Sequence, residues 1–489
     1  MAARTVLIIA LIVVIIVIGL AAGLVFLTSS STTTSTSSFA STTSQSSASF
    51  SSSSTQISIY TTYTSFTPGG NYSSSYLTYH RDLAHDGYDP DEPSYQSPRI
   101  AWISPTLDGA SYGEPLIYNG LVYVVTENDS FYALNEFTGG IVWRENLGTP
   151  VPGNTLPCGD INPSGITSTP VIDPAADEIF VVAYLYPPQH HVLFALNLQT
   201  GSIAFQRIVD PPGVSPLVEQ QRGALELANH MIYIPFGGLA GDCGQYHGYV
   251  LGVHEDNSSA TLSYAVPSVR EAGIWAPAGV SIDSTGVFAA TGNSGSNSAF
   301  DFGNAVIHLS FGLNETDYFA PTSWEVLNQN DSDLGSVAPT LLGNDTIFQI
   351  GKQGIGYLLN EANLGGIGGE EFSLKVCDGS IGGTAYFAGV IYIPCYDGLF
   401  AAKVQLSPSP TFSNLWNNTN VAFGPPIIAG GVIWTLDSSS HALYALALNN
   451  GTQLFSSSGL GGVVHFETPS SANGLIFATG NEVIYAFNI

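Results

Sequence analysis

The sequence predicts an all-β protein. The expected fold is an eight-bladed β-propeller of four-stranded antiparallel blades, closed by an N-terminal strand and preceded by one transmembrane helix and a disordered stalk. Three observations predict the ring. A unit of short strands and tight turns recurs eight times, about 35–55 residues apart. The last copy stops at Ile489 after its third strand. An orphan apolar strand, Arg99–Pro105, stands before the first copy and carries Trp102 where the first copy carries Trp143. That strand is expected to complete the eighth blade, which removes the sheet edges an open ring would expose.

The best-preserved copy is Tyr118–Arg144, YNGLVYVVTENDSFYALNEFTGGIVWR. Gly120 makes a turn, LVYVVT alternates, ENDS reverses the chain, FYALN returns, and FTGG leads into a strand starting IVW. β-Branched and aromatic runs bounded by Gly, Asn, Asp and Ser read as antiparallel strands. Weaker copies occupy 171–205, 229–253, 284–312, 343–360, 388–404, 430–455 and 473–489.

Of 489 residues, 38 are acidic and ten are Lys or Arg, giving a formal net charge of −28. This excludes a nucleic-acid partner, which needs a basic face, and electrostatic attraction to anionic lipid. Only 10% of residues are charged, while Ser, Thr, Asn and Gly are plentiful. In strong acid the ten Lys/Arg and ten His would give about +20. A hydroxyl-rich surface of this kind suits an acidic habitat. Cys158, Cys243, Cys377 and Cys395 lack zinc-ligand spacing, and an even number on an exported chain suggests two disulfides. Cys377 and Cys395 fall on neighbouring strands and are expected to pair, which leaves Cys158 with Cys243.

Three segments are expected: a signal-anchor over 1–28, a Ser/Thr-rich stalk over 29–77 and the propeller over 78–489. Residues 6–27 are apolar throughout and would span about 33 Å as a helix, enough for a bilayer core. Arg4 precedes them, so the propeller is expected outside the cell, in a single-pass membrane protein. A cleaved signal peptide is the alternative, disfavoured by the length of the run and the lack of an A-x-A-like site. The stalk cannot form a core and reads as a glycosylated spacer or a bare linker. N-glycosylation sequons begin at Asn71, Asn128, Asn257, Asn314, Asn330, Asn344, Asn417 and Asn450, mostly in apparent turns. Residues 78–98 lead into the closing strand, and His80 there is expected to pack against the propeller rim.

The pattern V-Y-V, polar turn, Y-A-L-N, T-G, W resembles the pyrroloquinoline-quinone (PQQ) repeat, as do ALYALALNNGTQLF and FALNLQTGSIAF. IWAPAGVSIDSTGVFAATGN is similar to a blade of the quinoprotein alcohol dehydrogenases. Longer blocks, among them TPVPGNTLPCGDINPSGITSTP, FGGLAGDCGQYHGYV, REAGIWAP, DLGSVAPTLL and GKQGIGYLL, resemble exported PQQ-like propellers of actinobacteria and archaea. The resemblance implies the fold over roughly 78–489. For activity it implies PQQ and Ca²⁺ as candidate cofactors, held by basic groups and by carboxylate oxygens, with a carboxylate base for an alcohol. The adjacent-cysteine disulfide of the best-known members is missing here.

With so few cations, those inside the propeller stand out. Candidate channel or ligand-binding residues are Gln221, Arg222, His247, Arg270, Glu271, Trp275, Asp333 and Lys352, with Asp160 and Asp242 nearby in the chain. The structural expectation for them is that Arg222 and Arg270 pair with carboxylates and tie blades together, while Trp275 fills space between blades. Asp331–Ser336, DSDLGS, has part of a Ca²⁺ loop but no downstream Glu. His190 and His191 read as a solvated loop pair. The functional expectation is a cell-surface binding or scaffolding module for a surface protein, glycan or small ligand. The alternative is a PQQ- and Ca²⁺-dependent alcohol or sugar dehydrogenase that passes electrons to a membrane acceptor, since no C-x-x-C-H haem site is present.

Overall fold

The computed structural model describes residues 74–419, 423–457 and 459–489. The expected anchor helix, most of the stalk and the Asn71 sequon lie outside the described residues. Among the described residues no helix is long and apolar enough to cross a membrane.

Eight antiparallel blades follow one another in the chain. Blade 1 comprises Leu116–Tyr118, Leu121–Val125, Ser130–Asn135 and Ile141–Asn146. The inner strands of blades 2 to 8 begin at Val171, Glu226, Ser281, Thr340, Ala385, Ile427 and Ser470. In blade 8 the outer strand is Arg99–Ile103, paired antiparallel with Val483–Asn488. The ring is therefore closed by the N-terminal strand, as expected.

Local chemistry sets the hairpins. Inner and second strands are joined by two-residue turns with both residues at positive φ: Asn119-Gly120, Asn229-His230, Asn344-Asp345, Ala388-Gly389, Gly430-Gly431 and Asn473-Gly474. These are the mirror-image turns whose twist matches paired strands. Second strands are buried on both faces because each blade is covered by its neighbours, so all five residues of Leu121–Val125 are buried.

The T-G turns couple neighbouring blades. Trp102, Trp143 and Trp416 each donate the indole N–H to a backbone carbonyl of the next blade, at Glu136, Leu198 and Leu448. Each ring lies flat against a turn glycine: Gly139, Gly201 and Gly451, with φ of +70°, +70° and +66°. A Cβ there would sit 2.4–2.5 Å from the ring, so both the backbone conformation and the close approach require glycine.

Residues 76–92 form a strap that runs round the inner wall of the ring. The Tyr76, Leu77, Leu83, Ala84, Asp86 and Gly87 carbonyls accept from the Ile117, Ile172, Ile282, Leu341, Tyr386 and Ile428 amides, at 2.7–3.0 Å. Blade 3 is reached through Thr78 Oγ1 donating to Glu226 Oε2, at 2.6 Å. Blade 8 is reached through Ser471 Oγ donating to Asp89 Oδ2, at 2.7 Å. Six of the eight inner strands thus have an edge amide satisfied by the strap, each bond contributing about 1 kcal/mol net, and the other two are tied to it by side chains. His80 is fully buried there, its backbone N–H donating to Glu114 Oε2 at 2.8 Å. It packs on the inner wall, not on the rim as the sequence suggested. Burial, with His85 alongside, lowers its pKa to about 3.

Both disulfides form as expected. Cys158–Cys243 ties the segment between blades 1 and 2 to a loop of blade 3, and Cys377–Cys395 ties blade 5 to blade 6. Of the described sequons, the side chains of Asn314, Asn330, Asn344, Asn417 and Asn450 are exposed, although Asn417 lies in a strand, not a turn. Asn128 and Asn257 are half-buried, and Asn128 Nδ2 donates to Asp108 Oδ2 at 2.8 Å.

Candidate functional site

The cations singled out in the sequence come to one face of the ring. Here second strands pass to third strands, and each outer strand passes to the next inner strand. Arg222 precedes blade 3, Arg270 and Trp275 precede blade 4, Asp331 and Asp333 precede blade 5, and Lys352 lies between the second and third strands of blade 5. Arg222, Asp242, Tyr246, Trp275, Asn293, Asp333 and Lys352, with Asp331 at the edge, line a cavity of about 190 Å³. Its floor is backbone at Gly238, Gly273 and Gly292. At Gly292 a Cβ would stand 2.7 Å from Asp333 Oδ1 and 3.0 Å from Trp275 Nε1, so glycine leaves these atoms accessible.

Charge in the cavity is largely paired. Lys352 Nζ lies 2.6 Å from Asp333 Oδ2 and 3.3 Å from Asp331 Oδ1. Burial opposes the ammonium, but these carboxylates outweigh it and hold the Lys352 pKa above its ordinary value. Asp333 Oδ1 accepts from the Asn293 backbone N–H at 2.6 Å. Burial pushes the Asp333 pKa up, against the pull of Lys352. Asp242 Oδ1 accepts from the Tyr246 hydroxyl at 2.5 Å. The Lys352 ammonium lies 5.4 Å and the Arg222 guanidinium 5.9 Å from the Trp275 ring centre. Trp275 therefore lines the cavity with cations against its ring instead of filling space between blades as Trp143 does.

Arg222 is the exception to the pairing. Its side chain is 13% exposed, and the nearest carboxylate oxygen, on the well-exposed Asp160, is 3.8 Å away. One Nη donates to Gln220 Oε1 at 2.9 Å, and Nε has no partner. Burial lowers its pKa. The guanidinium also lies 5.8 Å from the Phe466 ring centre, which belongs to the approach to blade 8.

The other expected residues lie outside the lining. Gln221 is buried, accepts from Ser168 Oγ and donates to the Gly223 carbonyl. Its amide is consumed by the fold. His247 Nδ1 lies 3.1 Å from Ser268 Oγ, and its backbone N–H donates to Glu219. Arg270 pairs with Glu271 and donates to the Asp242 carbonyl at 2.8 Å, buttressing the rim. His190 and His191 are not a solvated loop pair: they start a strand, His191 is buried, and both ring Nδ1 atoms face Asp210. A larger hollow of about 420 Å³ lies beside them on blade 2, lined by Pro187, Pro188, His190 and Arg207, away from the cavity described above. Sequence reasoning missed Tyr246, Asn293 and Phe466 as site residues. The first two stand in the blocks GDCGQYHG and TGN, and their chemistry was legible there.

A family model described as outer membrane protein assembly factor BamB matches residues 99–306. The quinohemoprotein alcohol dehydrogenase ADHIIG of Pseudomonas putida HK5 superposes with a TM-score of 0.66 at 12% identity, over 85% of this chain and 80% of that one. The enzyme of the same kind from Comamonas testosteroni gives 0.64 at 14%, over 85% and 80%. A europium-containing methanol dehydrogenase gives 0.67 at 13%, over 86% and 98%. The chain has the eight-bladed propeller fold of these proteins, and the family model matches the part of it from 99 to 306. No curated protein matches it. At such identities the likeness is one of fold, and the chain superposes even on the computationally designed Ika8 protein, at a TM-score of 0.51.

The repeat motif in the sequence implies PQQ and Ca²⁺ as candidate ligands, and the side chains can be tested for them. The cavity offers an aromatic ring and an under-paired guanidinium, which an acidic quinone would use. For the cation the fit fails. Ca²⁺ takes about six to eight oxygens. Among the described residues the one cluster of three His, Cys, Asp or Glu ligand atoms is Cys377, Cys395 and Asp397, which offers a single carboxylate because the two sulfurs are joined in a disulfide. Asp331 Oδ1 and Asp333 Oδ2 face Lys352, and Asp333 Oδ1 accepts from the Asn293 N–H. The cavity is also below the ~300–1,000 Å³ of sites for drug-sized ligands, so it suits only a small one.

Proposed function

We propose that this PQQ-like propeller is a non-catalytic binding module, displayed outside the cell by the N-terminal apolar segment and Ser/Thr-rich stalk. Ligand is engaged through the face that carries the Arg222–Trp275–Lys352 cavity. One observation carries the reading: the cavity's carboxylates are already committed, Asp333 to Lys352 and Asn293, Asp242 to Tyr246. Neither an oxygen cage for a hard cation nor a free, poised general base is left. What is left is hydrogen-bonding and cationic surface set in a rigid frame pinned by Cys158–Cys243.

Display supports the reading through two sequence features, the 22-residue apolar run after Arg4 and the exposed sequon asparagines on the propeller. Protease accessibility on intact cells, with carbonate extraction of membranes, checks it. The test of the chemistry is reconstitution. Full-length protein is incubated with PQQ and Ca²⁺, then assayed for quinone absorbance and dye reduction with alcohols and sugars. The reading expects no stable quinone spectrum and no substrate-dependent reduction. Quinone-dependent dye reduction would replace it with a membrane-coupled dehydrogenase.

A further inference from the structure

Two side chains that line the cavity, Trp275 and Arg222, carry a donor that the fold has not used. Four tryptophans donate their indole N–H to a backbone carbonyl: Trp102, Trp143, Trp416 and Trp434. Among the described residues Trp275 Nε1 has no acceptor, and it opens into the cavity over Gly292, the position where a Cβ would approach it to 3.0 Å. Beside it stands Arg222, whose Nε is buried without a partner. A guanidinium out of water without a close counter-charge is costly. The existing contacts do little to offset that cost, because Asp160 is 3.8 Å away with 66% of its side chain exposed. Lys352, by contrast, is held by two carboxylates and has no charge to spare.

We propose that Arg222 and the Trp275 indole N–H receive the carboxylate of a small hydroxylated acid, of the size and chemistry of an acidic sugar unit. This rests on the binding-module reading and names the ligand class of its cavity. A guanidinium and an adjacent N–H match the two oxygens of a carboxylate, and such charge-assisted bonds are the strong ones. The remaining lining suits hydroxyl groups: the second oxygen of Asp242 and of Asp331, not the one held by Tyr246 or Lys352, can accept, and Asn293 can donate and accept. The aromatic rings against Arg222, Trp275 and Phe466, keep its charge partly desolvated and so sharpen its preference for an anion over water.

Isothermal titration calorimetry on the full-length protein, at low salt, tests the assignment with galacturonate, galactose and PQQ as probes. Galacturonate is expected to bind, with galactose at least tenfold weaker. Arg222→Gln is expected to weaken galacturonate tenfold or more and to leave galactose unchanged. Trp275→Phe keeps the ring but removes the N–H, and is expected to weaken galacturonate several-fold. It also carries the test if Arg222→Gln does not fold, as judged by its thermal midpoint. Equal affinity for the two sugars, no galacturonate binding, or an unaltered galacturonate affinity in the variants overturns the assignment. Failure with galacturonate and no quinone-dependent dye reduction removes this inference alone. PQQ binding with dye reduction removes the reading beneath it as well.

Discussion

Raising the pH should destabilise this propeller, and Glu136 shows why. Its side chain is buried in the turn that blade 1 presents to blade 8. Oε1 accepts from Asn473 Nδ2 at 2.9 Å, while Oε2 is buried without a partner. Burial, only partly offset by Asn473, pushes its pKa from 4.5 to about 7. The sign follows from proton binding: between these values the folded state holds a proton that the unfolded state has released. The neutral carboxyl's stability is therefore complete below about pH 4.5 and is lost as the pH rises through 7. At 1.36 kcal/mol per unit the loss is about 3 kcal/mol. Glu136→Gln keeps the shape and the acceptor but does not titrate. Chemical denaturation of both proteins at pH 4, 6 and 8 should show the wild type losing stability with pH, and the variant recovering up to about 3 kcal/mol of that loss at pH 8. Equal pH slopes for the two proteins would refute the assignment of Glu136 as a neutral buried acid. Glu92, also pushed up to about 7 by burial, adds to the wild-type slope in the same direction.

Other consequences of the structure can be measured directly. Gly201→Ala, which drives a Cβ into the Trp143 ring at a φ of +70°, should cost more than 1 kcal/mol, read as a lowered thermal midpoint. Trp143→Ala should cost about 3–5 kcal/mol by the same assay, since it empties the joint between blades 1 and 2. Replacing both Cys158 and Cys243 by Ser opens a link with a sequence separation of 85, and should cost up to about 4–5 kcal/mol by denaturant titration. Removing residues 99–103 should leave Val483–Asn488 as a free strand edge, and light scattering should then show self-association of an otherwise dispersed protein.

The ring was legible because its signals are local. Asn119-Gly120 and Asn473-Gly474 announce hairpins by backbone chemistry alone, and Trp143 with Thr138-Gly139 repeats often enough to fix a period. The closing strand was legible from a deficit, since the last copy lacks its outer strand and Arg99–Ile103 has no blade of its own. The strap was not legible, because residues 76–92 make one or two contacts with each blade and carry no periodicity; only the closed ring gives them meaning. In the cavity, Arg222 and Lys352 stand out by scarcity of cations, Trp275 by its place beside Arg270, and Asp333 by its place in the block DLGSVAPTLL. Gln221 and His247 were chosen on proximity in sequence, and the backbone turns them to other partners. Whether a cation is paired depends on distances between blades, such as 3.8 Å for Arg222 and 2.6 Å for Lys352, which no spacing in the chain encodes.

The central claim is that the cavity binds without a redox cofactor. Native mass spectrometry of the full-length protein isolated from its own cells tests it most directly. The account predicts the mass of the polypeptide with its glycans, and neither a quinone nor a stoichiometric metal ion retained. One quinone and one hard cation per chain would contradict it.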